Sequence, residues 1–224
     1  MRINTVEIQN FRKLKSCKID FSEKETIFVG TNNSGKTTAM DALMAFLKTK
    51  NFKTQDFTLS NWKELNKVSE KWTSKDVKDE EKSIKFIENF LPTLDLWLYV
   101  ENHELHYVNH IIPTLDWKGG LLGIRLRYEP KDLNELIKDF SSIYNKSNQL
   151  LKKKTFKLWP KHFWDFCERK LNTYFSLRTY LLDPDKHNVG QELTESNIAL
   201  DGDVLKGLIK IDIINAQRGF SDVK

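Results

Sequence analysis

The chain has 224 residues, 39% of them hydrophobic and 30% charged, with 36 lysines and arginines against 31 aspartates and glutamates and a formal net charge of +5. That length and balance describe one large soluble domain, or one domain carrying an insertion, with a buried core and a heavily charged surface. No run approaches the 18 apolar residues of a membrane-spanning helix; the mild basic excess points to a polyanionic partner, although lysine-rich surfaces are common.

Arg2 to Ile8 reads as a strand, Asn10 to Lys13 (NFRK) as a turn, and Ser16 to Phe21 as a second strand. Thr26 to Val29 is a short apolar run, read as a third strand, which meets the loop GTNNSGKTT from Gly30 to Thr38. A helix follows, with Met40, Leu43, Met44 and Leu47 at i, i+3, i+4 and i+7 as its expected apolar face. Two strands before such a loop are too many for a minimal kinase or small GTPase. They imply an edge β-layer that enters a parallel core.

Asn51 to Lys82 is polar and without clear period, and reads as a long surface loop with short helical pieces. Glu80 to Leu91 reads as a helix with Ile84, Ile87, Phe90 and Leu91 on one side. Leu94 to Val100 is a strand, Glu101 to Glu104 a tight turn and Leu105 to Ile112 a returning strand. After the Gly119-Gly120 turn, Leu121 to Tyr128 alternates Ile124, Leu126 and Tyr128 against Arg125 and Arg127. The expectation is an antiparallel meander whose basic face is solvated. Pro130 ends that strand, and Asp132 with Glu135 resembles a capping box before a helix with Leu133, Leu136, Ile137 and Phe140 inward. Lys146 to Lys157 is a basic end or bridge, and Pro160 is read as the first residue of another helix, with Phe163, Cys167, Leu171 and Tyr174 inward. Leu177 to Leu182 is a strand, Asp183 to Asp203 a polar loop, and Leu208 to Ile214 a last strand before NAQRGF.

The chemistry concentrates at Gly30 to Thr38. Gly-x-x-x-x-Gly-Lys-Thr between a strand and a helix is the P-loop pattern. Chance supplies the string on the order of once in a hundred chains of this length, before its context is required. Gly30 and Gly35 let successive backbone N–H groups, through Asn32, Asn33 and Ser34, turn inward on phosphate oxygens. The helix N-terminus at Lys36, Thr37 and Thr38 adds its dipole. Lys36 is a point charge for the β- and γ-phosphates, and the Thr37 hydroxyl suits Mg²⁺. The reading is binding of a nucleoside triphosphate.

Other candidates fare less well. An ATPase needs an acidic residue at the end of a second apolar strand. Glu101 after LWLYV has no Asp-Glu pair, and Asp212 falls in mid-strand. His103, His106 and His110 lack the carboxylates or cysteines of a metal site and read as a surface hairpin. Lys152, Lys153, Lys154, Lys157 and Lys161 are a basic stretch able to touch phosphates, though such runs are more often solvated helix ends. Asn66-Lys67 and Asn145-Lys146 lack the Asp of a guanine-reading motif, which ranks a GTPase last. Cys17 and Cys167 stand far apart, with no CxxC, and no basic-then-apolar leader opens the chain, so the expected compartment is the reducing cytoplasm.

The opening IQNFRKL, its spacing to GTNNSGKTT and the DALMAFL helix resemble SMC/RecF-like ABC-type ATPases. QDF at Gln55 to Phe57, FLPTLDLWL, GLLGIRLRYEPKDL and NAQRGF look like the N-terminal ATPase segment of OLD-family (overcoming lysogenization defect) ATP-dependent endonucleases, across essentially all of 1–224. The resemblance implies an α/β fold of the P-loop NTPase, ABC/SMC-head type, with a mixed sheet, an antiparallel meander and a helical insertion at about 131–175. It implies ATP and Mg²⁺ as cofactors, Lys36 as the catalytic lysine, Arg12 beside the nucleotide, and Asp56 at a Q-loop-type position with Thr37 toward the metal. It also implies DNA as partner, a dimer or larger homo-oligomer, no membrane, a role in anti-phage defence, and a Toprim nuclease domain. The Walker B, signature and Toprim residues have no counterpart in these 224 residues. An SMC/RecF-like clamp or repair ATPase without nuclease is the alternative.

Overall fold

The computed structural model describes residues 1–74, 83–150, 159–187, 189–194 and 197–212. Its framework starts in the first twenty residues. β1 (Arg2–Phe11) alternates, sending Val6 and Ile8 to the core, and a two-residue turn at Arg12-Lys13 returns the chain as β2 (Leu14–Asp20). On its other edge β1 pairs with β3 (Thr93–Val100), then come β4 (Gly120–Pro130) and β5 (Phe175–Leu182), giving the order β2-β1-β3-β4-β5. Every pair in this sheet is antiparallel.

The expected mixed sheet with a parallel core is therefore corrected among the described residues. Thr26 to Val29 joins no strand, and Ile27 and Val29 are 71% and 88% exposed. An apolar run becomes a strand only where a neighbouring backbone offers it a ladder, and no described strand does.

Pairing Leu94 with Leu126, Leu96 with Ile124 and Leu98 with Leu122 stacks one face of the sheet with buried aliphatics. On this face lie α1 (Lys36–Met44), α2 (Leu59–Trp72), α3 (Leu133–Leu150) and α4 (Phe163–Tyr174). α1 buries Ala39 and Ala42, and the π-turn at Ala45–Thr49 buries Ala45 and Phe46. The expected Met40/Met44 face is displaced: Met40 is 46% exposed, because the small alanines let the helix lie close to the core. α2 replaces the expected surface loop. Trp62, Leu65, Val68 and Trp72 form its buried stripe, hidden in sequence among lysines, glutamates and asparagines.

Two further expectations fail in the same region. Of Glu80 to Leu91, residues 80–82 lie outside the described residues, and the rest form 3-10 turns at Ile84–Phe86 and Glu88–Phe90. Leu105 to Ile112 is no returning strand but part of 3-10 turns at Asn102–Tyr107 and Asn109–Ile111. The first is closed by a Glu101/Glu104 capping box, a local bond that competes with strand pairing.

α3 starts as expected. Asp132 accepts from the N–H groups of Asn134 (2.8 Å) and Glu135 (3.1 Å), and Leu136, Ile137 and Phe140 are buried. α4 is capped by His162, so Pro160 stands before the helix rather than at its first position. Residues 208–212 form no strand; 151–158, with most of the basic stretch, and 213–224, with NAQRGF, lie outside the described residues.

The second face of the sheet is not solvated. Arg125 and Arg127 are only 7% and 5% exposed. Arg125 Nε and Nη2 donate to both oxygens of Asp95 (2.7 and 2.6 Å), and its Nη1 reaches the Gln191 carbonyl (2.6 Å). Arg127 pairs with Glu129 and with Glu88 (2.7 Å). Such buried forks satisfy charges that could not otherwise leave water. On the same face Gly123 lies opposite Trp97, where a Cβ would sit 2.3 Å from the indole.

Candidate functional site

Loop geometry follows from three left-handed or strained positions. Gly30, Asn33 and Gly35 have φ of 156°, 68° and 101°, values that glycine and, less readily, asparagine adopt. Gly35 caps α1 with no side-chain hydrogen bond, so the first N–H groups of α1 lack a side-chain cap. Lys36 folds back over the loop. Its ammonium donates to the carbonyls of Gly30 and Thr31 (2.7 Å to the latter) and to Ser34 Oγ (3.1 Å). A Cβ at Gly30 would stand 3.1 Å from Ser34 Oγ and 3.6 Å from that ammonium. The loop encloses a cavity of about 290 Å³ lined by Lys13, Asn32, Asn33, Ser34, Gly35, Lys36, Thr37 and Thr38. Two lysines, backbone amides and hydroxyls with no carboxylate fit a polyphosphate. Thr37 supplies one hard oxygen for a Mg²⁺ that would accompany it.

Arg12 and Asp56 are brought together, but away from this cavity. Arg12 Nε donates to Asp56 Oδ1 (2.9 Å), and Nη1 pairs with Asp41 of α1. Burial pulls the Arg12 guanidinium down, yet Asp56 and Asp41 outweigh it and hold it above its usual value. The second oxygen of Asp56 accepts from the Lys53 N–H (2.8 Å). Both residues line a different cavity of about 920 Å³, with Met40, Asp41 and Met44. Asp56 and Thr37 thus line different cavities, and Arg12 is paired with two carboxylates.

Among the described residues no three His, Cys, Asp or Glu side chains are placed to hold a metal. His103 pairs with Glu101, the His106 ring lies tilted against Tyr107, and His110 bonds the Val204 carbonyl (3.0 Å). Asp212 pairs with Lys210 on the surface. Sequence reasoning missed Lys13 and Asp41. Lys13 follows Arg12 directly, and Asp41 lies in the DAL segment; the turn's approach to the loop and to α1 gives each its partner.

A curled glycine loop at an open helix N-terminus, with a lysine over it, defines a nucleoside-triphosphate-binding domain. The chain belongs to the AAA ATPase domain family, whose model matches residues 1–224. Two curated relatives carry the description DNA replication and repair protein RecF. That of Exiguobacterium sp. is 30% identical over 63 residues, covering 28% of this chain and 17% of the relative. That of Lactococcus lactis subsp. lactis is 33% identical over 63 residues, 28% of this chain and 18% of the relative. The chain thus spans under a fifth of the length of these relatives. A solved structure from work on ATP-driven dimerization and DNA-stimulated activation of SMC ATPases is 19% identical and covers 76% of this chain and 96% of its own, with a TM-score of 0.34, a distant likeness. No helix among the described residues is long and apolar enough to cross a membrane.

Proposed function

We propose that this chain binds and hydrolyses ATP at Gly30 to Thr38, as part of an ATPase that acts on DNA. The observation that carries the reading is the carboxylate-free cavity under the loop, with Lys36 and the open end of α1 around it. In it the amides of Asn32 to Thr38 hold phosphate oxygens, Lys36 meets the charge that develops on the β- and γ-phosphates, and Thr37 holds Mg²⁺, the ion that neutralises the triphosphate. The test is ATP binding by Lys36→Ala against the parent chain: loss of binding is expected, and unchanged affinity overturns the assignment.

The finer reading is an ATPase that gates a Toprim nuclease elsewhere in an OLD-like endonuclease of anti-phage defence, cytoplasmic and assembled as a dimer or larger homo-oligomer. Its support is the resemblance of NFR, QDF and the β3–β4 segments. The similarity to RecF proteins favours a second reading, an SMC/RecF-like DNA-clamping or repair ATPase without nuclease. Mg²⁺-dependent cleavage of plasmid DNA by the protein encoded by the whole reading frame separates them. Cleavage abolished by Lys36→Ala supports the first, and ATP-dependent DNA retention without cleavage the second.

A further inference from the structure

We propose that Lys13 is a second cation of the phosphate site, released from the loop onto the polyphosphate of a bound nucleoside triphosphate; this rests on the reading of Gly30 to Thr38 as a nucleotide site. The two residues of the β1–β2 turn and the first of β2 reach the loop and its helix. Arg12 pairs with Asp41 of α1, Lys13 reaches Asn33, and Leu14 Cδ2 lies 3.5 Å from where a Cβ on Gly35 would stand. The turn takes a positive φ at Arg12 (50°), and the Arg12 N–H donates to the Asp56 carbonyl (2.8 Å). Arg12 is thereby spent as a brace. It fixes the turn against α1 and the 54–56 turn and leaves the next side chain over the loop.

That side chain carries the chemistry. The Lys13 ammonium donates to the backbone carbonyl and to Oδ1 of Asn33, both at 2.8 Å, and the side chain lines the same cavity as Lys36. Two of its three N–H donors are used, and the third is left for a ligand oxygen. Both cations of this cavity rest on neutral oxygens of the loop itself. A phosphate oxygen is the stronger acceptor for an ammonium, and a flexible four-carbon stem lets Lys13 exchange one for the other. The lining offers two positive charges and no carboxylate, because Asp41 and Asp56 are turned to Arg12 in the neighbouring cavity. Lys13 is exposed, so its replacement is expected to leave the fold intact.

The test measures displacement of a fluorescent ATP analogue by ATP and by inorganic tripolyphosphate in Lys13→Ala, Lys13→Arg and Lys36→Ala. Lys13→Ala is expected to weaken both competitors by the same factor, on the order of tenfold, and to flatten the salt dependence, while the thermal midpoint stays put. Lys13→Arg is expected to restore most of the loss. Unchanged affinity in Lys13→Ala overturns the proposal, as does a loss that leaves the salt dependence as steep as the parent's, which would make Lys13 a pin for the loop. Full affinity in Lys36→Ala would instead sink the nucleotide reading itself.

Discussion

Removing one carboxylate distinguishes a solvated sheet face from a buried one. Asp95→Ala deletes both acceptors of the Arg125 fork and leaves a guanidinium 7% exposed, with, among the described residues, only the Gln191 carbonyl for a partner. On a solvated face the loss would be at most about 1 kcal/mol. For a buried pair, truncating one member strands the other charge and costs about 3–5 kcal/mol. In a chain of this size that is a fall in melting temperature of roughly 6–20 °C. The companion Arg125→Met/Asp95→Leu removes both charges and is expected to recover most of the stability, since a buried ion pair repays little more than its own desolvation. Urea denaturation of the parent, Asp95→Leu, Arg125→Met and the double gives the coupling directly. A loss under about 1 kcal/mol in Asp95→Ala would refute the burial argument.

Gly123→Ala forces a methyl to within 2.3 Å of the Trp97 ring and 2.8 Å of Leu182 Cβ, and should cost about 1–3 kcal/mol by overpacking, read from the urea midpoint. Asp132→Ala removes the acceptor for two N–H groups of α3 and should cost about 1 kcal/mol in the same assay. Burial, and the hydrogen bond to Glu129, push the Tyr180 phenol up to about 12 from 10.0. The unfolded chain therefore releases this proton first, so the stability it confers is complete below pH 10 and is lost as pH rises toward 12. In Tyr180→Phe the decline over that window should be shallower by urea midpoint, and an identical pH profile would contradict the burial of this phenol.

Local pattern was enough where one element answered to one period. The alternation in β1, β3 and β4 and the Leu136–Phe140 stripe of α3 are written in adjacent residues, as is the Gly-x-x-x-x-Gly-Lys-Thr loop. Failures came where distant partners decide. Nothing near Arg125 and Arg127 announces Asp95 and Glu88, thirty or more residues away, so these arginines read as a wet surface. Thr26 to Val29 has a strand's composition but no described neighbour to pair with. The Trp62–Trp72 stripe was masked by charged residues on the outer side of α2. At the candidate site the loop was legible residue by residue. The engagement of Arg12 by Asp41 and Asp56, and the approach of Lys13, depend on how one tight turn lies against one helix.

The bare segment ahead of the loop has a practical corollary. With Ile27 and Val29 in water and no ladder on either flank among the described residues, Thr26 to Gly30 is an adhesive ribbon. Concentrated preparations of this polypeptide should clump through it, by light scattering, and an Ile27→Lys substitution should keep them clear. Handling conditions for the purified chain are thereby set by five residues that contribute little to its interior.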